Sequence, residues 1–538
     1  MLRYNNAVLR LAKRAETHDP QHIIDSFVDI GPLFTLLSNP DNQIIFGRRG
    51  TGKTHVLGYL ASELRKDDIV TVQLDMRTIG STGGIYSDPN IQLGERATRL
   101  LVDTLIAIHD QVLTRVLEDT ETLDLSQIGP ILDAFAETST ELTVEGGIEQ
   151  ESTSSGSSTS SSKTGVSFVA GPAPAITADL ADKSETSTGN VSRVKQSGAQ
   201  RLRVQFGPLT RRLQQLVEAL PAKSLWVILD EWSEVPLDLQ PYLADFLRRC
   251  VIPAKGVTVK IAAIAQRSNF RIEDSSVGHI GMEIGADAAA SLSLDEFLVF
   301  DNNPEQAKQF FSELLYRHIS ALAKSDNDFE PPNSAAALTG ELFTQVTAVD
   351  EFARASEGVP RDAINIIGLA AQKSPNAPIS VQDVRSAART WYTRAKQQAI
   401  ATKPDAQRLL NWIIDEVIKH RQARAFLLED GVRDELIDFL YDARVLHVIR
   451  EGVSSQDYAG RRFNVYAIDY GCYVDLINTS RAPQGLFSAG LAEGDGQEVY
   501  VTVPQTDFRS IRRAILDLGE FYRQLAVGAE AGTEASPA

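Results

Sequence analysis

Near the N-terminus, Gly47-Arg48-Arg49-Gly50-Thr51-Gly52-Lys53-Thr54 follows the spacing G-x-x-x-x-G-K-[ST]. Glycines at those positions let consecutive backbone N–H groups turn inward around a phosphate, where side chains would block the approach. Lys53 is long enough to reach the outer phosphate oxygens, and the Thr54 hydroxyl can hold Mg²⁺. A helix opening at this point adds its positive dipole end. The context agrees: the apolar run IIF (44–46) reads as a short strand, and a helical stretch follows to about Arg65. Residues 47–54, with His55 just beyond them, are therefore candidate nucleotide-binding positions.

A phosphate loop needs a carboxylate at the end of a neighbouring strand to hold the metal. SLWVILDE (224–231) offers it: a nearly all-apolar strand ending in Asp230 and Glu231. Asp230 is the candidate for the Mg²⁺ water shell, and Glu231 for polarising the attacking water. Glu234 is an alternative base. The ligands implied by these residues are a nucleotide and Mg²⁺.

These groups require a scaffold, and the patterning supplies one. Strands are predicted at 44–46, 69–76, 224–231, 257–265 and EFLVF (296–300). Helices are predicted at 91–118, 209–220 and 238–250. Apolar strands alternating with helices indicate a parallel α/β sheet with right-handed crossovers. The Ser/Thr/Gly tract at 152–162 has nothing apolar to bury, so it reads as a flexible tip. ELTVEGGIE before it and GVSFVAGPAPAIT after it have strand character, which predicts an inserted β-hairpin. From 304 to about 400 only helices are predicted, at 304–320, 335–354, 359–373 and 380–400. Then come helices at 405–420 and 432–443 and a two-stranded ribbon, 446–451 and 461–470, in the outline of a winged-helix domain. The expected organisation is an N-terminal arm (1–24) and a nucleotide-binding α/β domain (25–300) with the insertion at about 140–200. A helical lid (301–400), a winged-helix-like domain (401–526) and a disordered tail (527–538) follow.

The acidic pair, the strand VTVKIAAIA after it and the helical region beyond the sheet resemble the AAA+ superfamily of P-loop ATPases. In that superfamily the strand after the acidic pair ends in a polar residue contacting the γ-phosphate or the lytic water; here Gln266 or Arg267 takes that position. Gly358-Val359-Pro360-Arg361-Asp362-Ala363-Ile364-Asn365 resembles the second sensor motif of the origin-recognition/initiator-like subfamily. The resemblance implies that Arg361 reaches the phosphates from the start of a lid helix. The role is physically sensible, since Pro360 preorganises the first turn and a guanidinium at a helix N-terminus favours an anion. Phe27-Val28-Asp29-Ile30 resembles the entry to the same subfamily.

Two departures stand out. Between Ile272 and Phe300 there is no Arg or Lys, although the resemblance implies a trans-acting arginine finger about there. Arg271, Arg248 and Arg249 are substitutes, and weak hydrolysis with a switch role, as in signal-transducing STAND-type relatives, is the alternative. The candidate recognition helix 432–443 sets Arg433 against Asp434, Glu435, Asp438 and Asp442, a charge unfavourable beside phosphates. Arg461 and Arg462 near the ribbon tip are left as DNA contacts, and a protein partner is favoured.

Composition sets the outer bounds. With 71 acidic against 53 basic residues the net charge is -18, whose mean field repels polyanions. Cys250 and Cys472 exclude a disulfide scaffold and a structural zinc site and fit a reducing compartment. No apolar run approaches the ~20 residues of a membrane span, and the N-terminus lacks a secretory signal. The expectation is a cytoplasmic, homo-oligomeric, ATP-hydrolysing switch or machine; related bacterial proteins suggest antiphage defence. The alternatives are an ATP-dependent DNA-binding initiator or transposition-type regulator, and a nucleotide-gated scaffold with negligible turnover.

Overall fold

The computed structural model describes residues 3–11, 20–29, 31–80, 84–139, 142–152, 192–202, 204–274, 278–288, 290–300, 303–325, 330–421, 423, 425–454, 458–477 and 514–533. The first strands in chain order are β1 (Gln43–Phe46) and β2 (Val70–Asp75), then a paired ribbon, β3 (Leu142–Ser152) with β4 (Ser192–Leu202). After these come β5 (Leu225–Asp230) and β6 (Val257–Ala263), a short ribbon of β7 (Arg271–Asp274) with β8 (Gly278–Gly281), and β9 (Ala290–Ser293). Five of them form one sheet in the order β2-β5-β6-β1-β9, every pairing parallel.

Burial on both faces explains the apolar runs. Along β5, Leu225, Val227 and Leu229 join one core, with Leu105 and Ile108 of the Leu93–Glu118 helix and Leu213 of the Phe206–Ala219 helix. Trp226 and Ile228 point to the other face, into a core with Leu57 and Leu60 of the Lys53–Lys66 helix. Strand β6 is buried throughout, Lys260 included. The Lys260 ammonium donates to the Asn39 carbonyl at 2.7 Å and the Asp41 carbonyl at 2.8 Å, and sits 4.9 Å from the Trp226 ring centroid. Burial pushes its pKa down to about 7.

Several expectations are corrected. The fifth strand is β9, not EFLVF: Leu294–Leu298 is a helix, in which Leu294 and Leu298 at i,i+4 spacing are both buried. The partner of β3 is Ser192–Leu202, whereas the Ser-rich tract beyond Ser152 and the 165–177 segment lie outside the described residues. The predicted helix 335–354 is two, Ala335–Leu342 and Val346–Ala355. Between them buried Phe343 bridges Ile379, and Thr344 N–H donates to the Ile379 carbonyl at 3.0 Å.

After helices Pro360–Lys373, Val381–Trp391 and Pro404–Ile413 comes β10 (Ala425–Glu429), which was not anticipated. The helix predicted at 432–443 is Glu435–Asp442, capped by the Asp434 carboxylate. Strand β10 pairs with β12 (Arg462–Ile468), which also pairs with β11 (Leu446–Ser454), giving an antiparallel sheet in the order β10-β12-β11. A further helix, Leu518–Thr533, occupies 527–533, where a disordered tail was expected. Buried Phe521 anchors its start. One apolar core runs from Ile45 of the parallel sheet through the helical region to Phe426 and Phe521, so the C-terminal part shares the interior of the rest.

Candidate functional site

Strand β1 ends at Phe46, and the chain turns through Gly50 (φ 89°) and Gly52 (φ 95°) into the Lys53–Lys66 helix. Both angles lie in the left-handed region that favours glycine. The cradle is tight: a Cβ on Gly47 would stand 2.5 Å from Thr51 Oγ1, and one on Gly50 would stand 2.8 Å from Arg361 Cβ. The first-turn N–H groups of the helix have no intrahelical acceptors and point into the loop.

Lys53 is buried and curls back, its ammonium donating to the carbonyls of Gly47 at 2.7 Å and Arg48 at 3.1 Å. Burial pushes its pKa down, against the opposing pull of Glu231 and Asp230. The Thr54 hydroxyl donates to Asp230 Oδ2 at 2.6 Å, and Glu231 N–H donates to Asp230 Oδ1 at 2.8 Å. Glu231 adopts φ 55°, an uncommon angle for a side-chain-bearing residue, and breaks the strand direction immediately after β5. Burial pushes both carboxyls up; for Glu231 the neighbouring Asp230 charge adds to it, while Lys53, Arg77 and Arg49 oppose it. Lysine, threonine and the two acids therefore form one electrostatic neighbourhood. A hydroxyl and a carboxylate oxygen side by side are hard oxygen donors of the kind magnesium takes.

Arg361 enters the same neighbourhood. Its backbone N–H donates to the Gly50 carbonyl at 3.2 Å, and its guanidinium is close enough to Lys53 to depress the lysine's pKa. Gln266 follows β6, with a buried Oε1 that accepts no hydrogen bond. Arg267 instead turns toward Asp442 of the Glu435–Asp442 helix, donating at 3.3 Å. The two residues that shared one expectation thus have different surroundings.

Arg48 differs most from its expected place. It is buried; its backbone N–H donates to Asp295 Oδ2 at 3.0 Å, its Nε to Asp295 Oδ1 at 2.8 Å, and its Nη2 to the Glu357 carbonyl at 2.9 Å. A carboxylate from the Leu294–Leu298 helix thus holds the loop from behind, and Tyr441 donates to the same carboxylate at 3.2 Å. Arg49 is half exposed, and its Nη2 donates to Glu234 at 2.6 Å. The His55 ring turns away, its Nε2 lying 2.9 Å from the Ile23 carbonyl of the Pro20–Ser26 helix. Phe27 of the predicted entry motif stacks on Tyr59 at 3.8 Å between centroids.

The substitute finger candidates are all engaged. Arg248 and Arg249 pair with Asp245 at 2.7 and 2.8 Å, and Arg271 with Glu273 at 2.7 Å. Arg461 lies 3.4 Å from Glu429, and Arg462 is exposed at the start of β12. Cys250 and Cys472 are free and buried. Among the described residues no cluster of three or more His, Cys, Asp or Glu could hold a metal, and no helix is long and apolar enough to cross a membrane. Asp295 and Asp442 escaped prediction because nothing in their local pattern ties them to a loop so distant in the chain.

Residues 11–98 match the model of the ORC-CDC6-like family. Among solved structures, the chain is similar to Cdc6p from Pyrobaculum aerophilum, at 14% identity over 88% of this chain and 96% of that one, with a TM-score of 0.29. It is also similar to the Aeropyrum pernix Orc1 protein in complex with DNA, at 12% identity over 88% and 97%, with a TM-score of 0.30. A RuvB variant from Thermotoga maritima follows, at 10% identity over 83% and 92%, with a TM-score of 0.30. No curated protein matches the chain.

Proposed function

We propose that this chain is an initiator-like AAA+ ATPase that binds ATP with magnesium at residues 47–54 and hydrolyses it as a nucleotide-driven switch. The observation that carries the reading is the 2.6 Å contact between the Thr54 hydroxyl and Asp230, which brings the loop and the strand-end acids together. Thr54 and Asp230 would hold the metal, which when bound neutralises phosphate charge. Lys53 would leave its loop carbonyls for the phosphate oxygens. Glu231 has its pKa raised by burial and would orient and take a proton from the attacking water. The unsatisfied Gln266 Oε1 would help hold that water, and Arg361 would tie the phosphates to the helical region.

We assign 25–300 to the nucleotide-binding unit, 301–400 to a lid and 401–526 to a winged-helix-like unit that meets protein rather than DNA. What supports this is the packing of the acidic Glu435–Asp442 helix against the 47–54 loop, with the Tyr441 ring centroid 5.8 Å from the Arg48 guanidinium carbon and Asp442 3.6 Å from Arg49. Assembly into a homo-oligomer belongs to the same reading.

The test is ATP binding and phosphate release by the purified chain. Lys53→Ala is expected to lose nucleotide binding. Glu231→Gln should retain it but release phosphate about 100-fold more slowly or worse. Phosphate release by the wild type no faster than by Lys53→Ala would remove the enzyme from the reading.

A further inference from the structure

Four charged side chains close a ring at the nucleotide end of the sheet. Arg49 comes from the loop, Glu234 from just after β5, Arg267 from just after β6, and Asp442 from the C-terminal helix. Arg49 reaches Glu234 at 2.6 Å and Asp442 at 3.6 Å; Arg267 reaches Asp442 at 3.3 Å and Glu234 at 3.9 Å. Only Asp442 belongs to the C-terminal part. Its Oδ1, the atom facing Arg49, is buried and lacks a hydrogen bond, so it is held by charge alone. Arg49 also opposes the upward shift of the Glu231 pKa, as the smallest of the charges acting on it.

A carboxylate between two guanidinia has the geometry in which arginines receive a phosphate. We propose that Asp442 stands in for the terminal phosphate of a nucleoside triphosphate. Without nucleotide it holds Arg49 and Arg267 and keeps the Glu435–Asp442 helix on the loop. The terminal phosphate carries more charge and three acceptor oxygens, so it takes the two guanidinia and frees the helix. A diphosphate, one phosphate shorter, leaves the latch closed. The pivot is Arg444, two residues on, in a left-handed turn (φ 60°) and held by buried Asp362 next to Arg361. Freeing the helix exposes the face that carries Tyr441 and Asp442, where a protein partner would bind. This inference rests on the ATP reading above and adds the device that couples it to the C-terminal part.

The experiment uses the full chain and two readouts: equilibrium binding of a non-hydrolysable ATP analogue and of ADP, and amide hydrogen exchange across residues 435–442. In the wild type the ATP analogue should raise exchange in that helix about tenfold, and ADP should not. Asp442→Asn should show fast exchange without nucleotide and bind the ATP analogue about three- to tenfold more tightly, because the competitor is gone. Arg49→Ala should show the same fast exchange but weaker ATP binding; opposite affinity changes with one exchange pattern distinguish a latch from a merely structural contact. Asp438→Asn, on the same helix, is the folding control and should leave ATP affinity unchanged. If Asp442→Asn matches the wild type in exchange and affinity while ATP binds normally, the latch is overturned and the nucleotide reading stands. If no variant and no wild type binds ATP, both fall.

Discussion

Two ion clusters join the C-terminal part to the rest of the molecule, and they are built oppositely. In the first, Arg49, Glu234, Arg267 and Asp442 remain in reach of water, with Arg49 42% and Asp442 25% exposed. In the second, Lys396 and Asp362 are 2% and 1% exposed and 2.9 Å apart, with Asp469 at 2.5 Å from Lys396 and Arg444 at 2.5 Å from Asp362. Buried His447 also faces Asp469, at 3.2 Å. In the dry cluster, burial alone would push Asp362 up and Lys396 down. Lys396 and Arg444 instead hold the acid below its ordinary range, and Asp362 and Asp469 keep the lysine raised. Pairs in water are worth little and exchange partners easily; pairs without water cannot lose one member cheaply. The wet cluster suits a contact that opens and the dry one a contact that does not. Adjacent Arg361 and Asp362 divide these tasks, one beside Lys53 and the other at the fixed joint.

That contrast is open to direct attack. The largest effect should come from Lys396→Ala, which removes the buried cation shared by Asp362 and Asp469; chemical denaturation should show a loss of about 3–5 kcal/mol. Raised salt should not restore it, since screening does not reach a buried pair. An intermediate effect is expected at Asp438, whose carboxyl burial pushes up to about 6, with Asp434 adding to the shift. Ionising it costs the fold. Its contribution is therefore favourable below the unfolded value of 3.8 and is lost as pH rises through about 6. Discounted for its partial exposure, Asp438→Asn should stabilise the chain by on the order of 1 kcal/mol at pH 7–8, with the gain vanishing near pH 4. Smallest of all, Glu234→Gln in the wet cluster should change stability by less than about 1 kcal/mol, and high salt should shrink even that. A wet-cluster variant as costly as Lys396→Ala would erase the distinction.

The same contrast marks what could be read from the chain. Strands β1, β5 and β6 were legible because burial on both faces leaves continuous apolar runs, β2 because its buried Val70, Val72 and Leu74 alternate with more exposed residues, and the loop because its glycines, lysine and threonine follow a recognisable spacing. Strand β9, Ala290–Ser293, was not: it is short and weakly apolar, and its pairing to β1 rests on backbone hydrogen bonds that any residue type can make. EFLVF looked like a strand because a short unbroken apolar run, here Phe297 to Phe300, does not by its periodicity distinguish a strand from a buried helix end. Arg48 was grouped with its neighbours because the variable positions of the loop carry no signal. Its true partner, Asp295, is 247 residues away. Asp442 was weighed as an unfavourable charge beside DNA, since its arginine partners become apparent only in three dimensions.

One consequence of the sheet order concerns how the molecule is made. Strand β1 lies between β6 and β9, so during synthesis both its edges stay open until more than 200 further residues have emerged. The loop that follows it is braced later still, by Asp295 and then by Arg361 N–H. A nascent chain cannot brace the 47–54 loop fully until the helical region has been translated. Truncations that end inside that region should consequently yield the motif without a competent site.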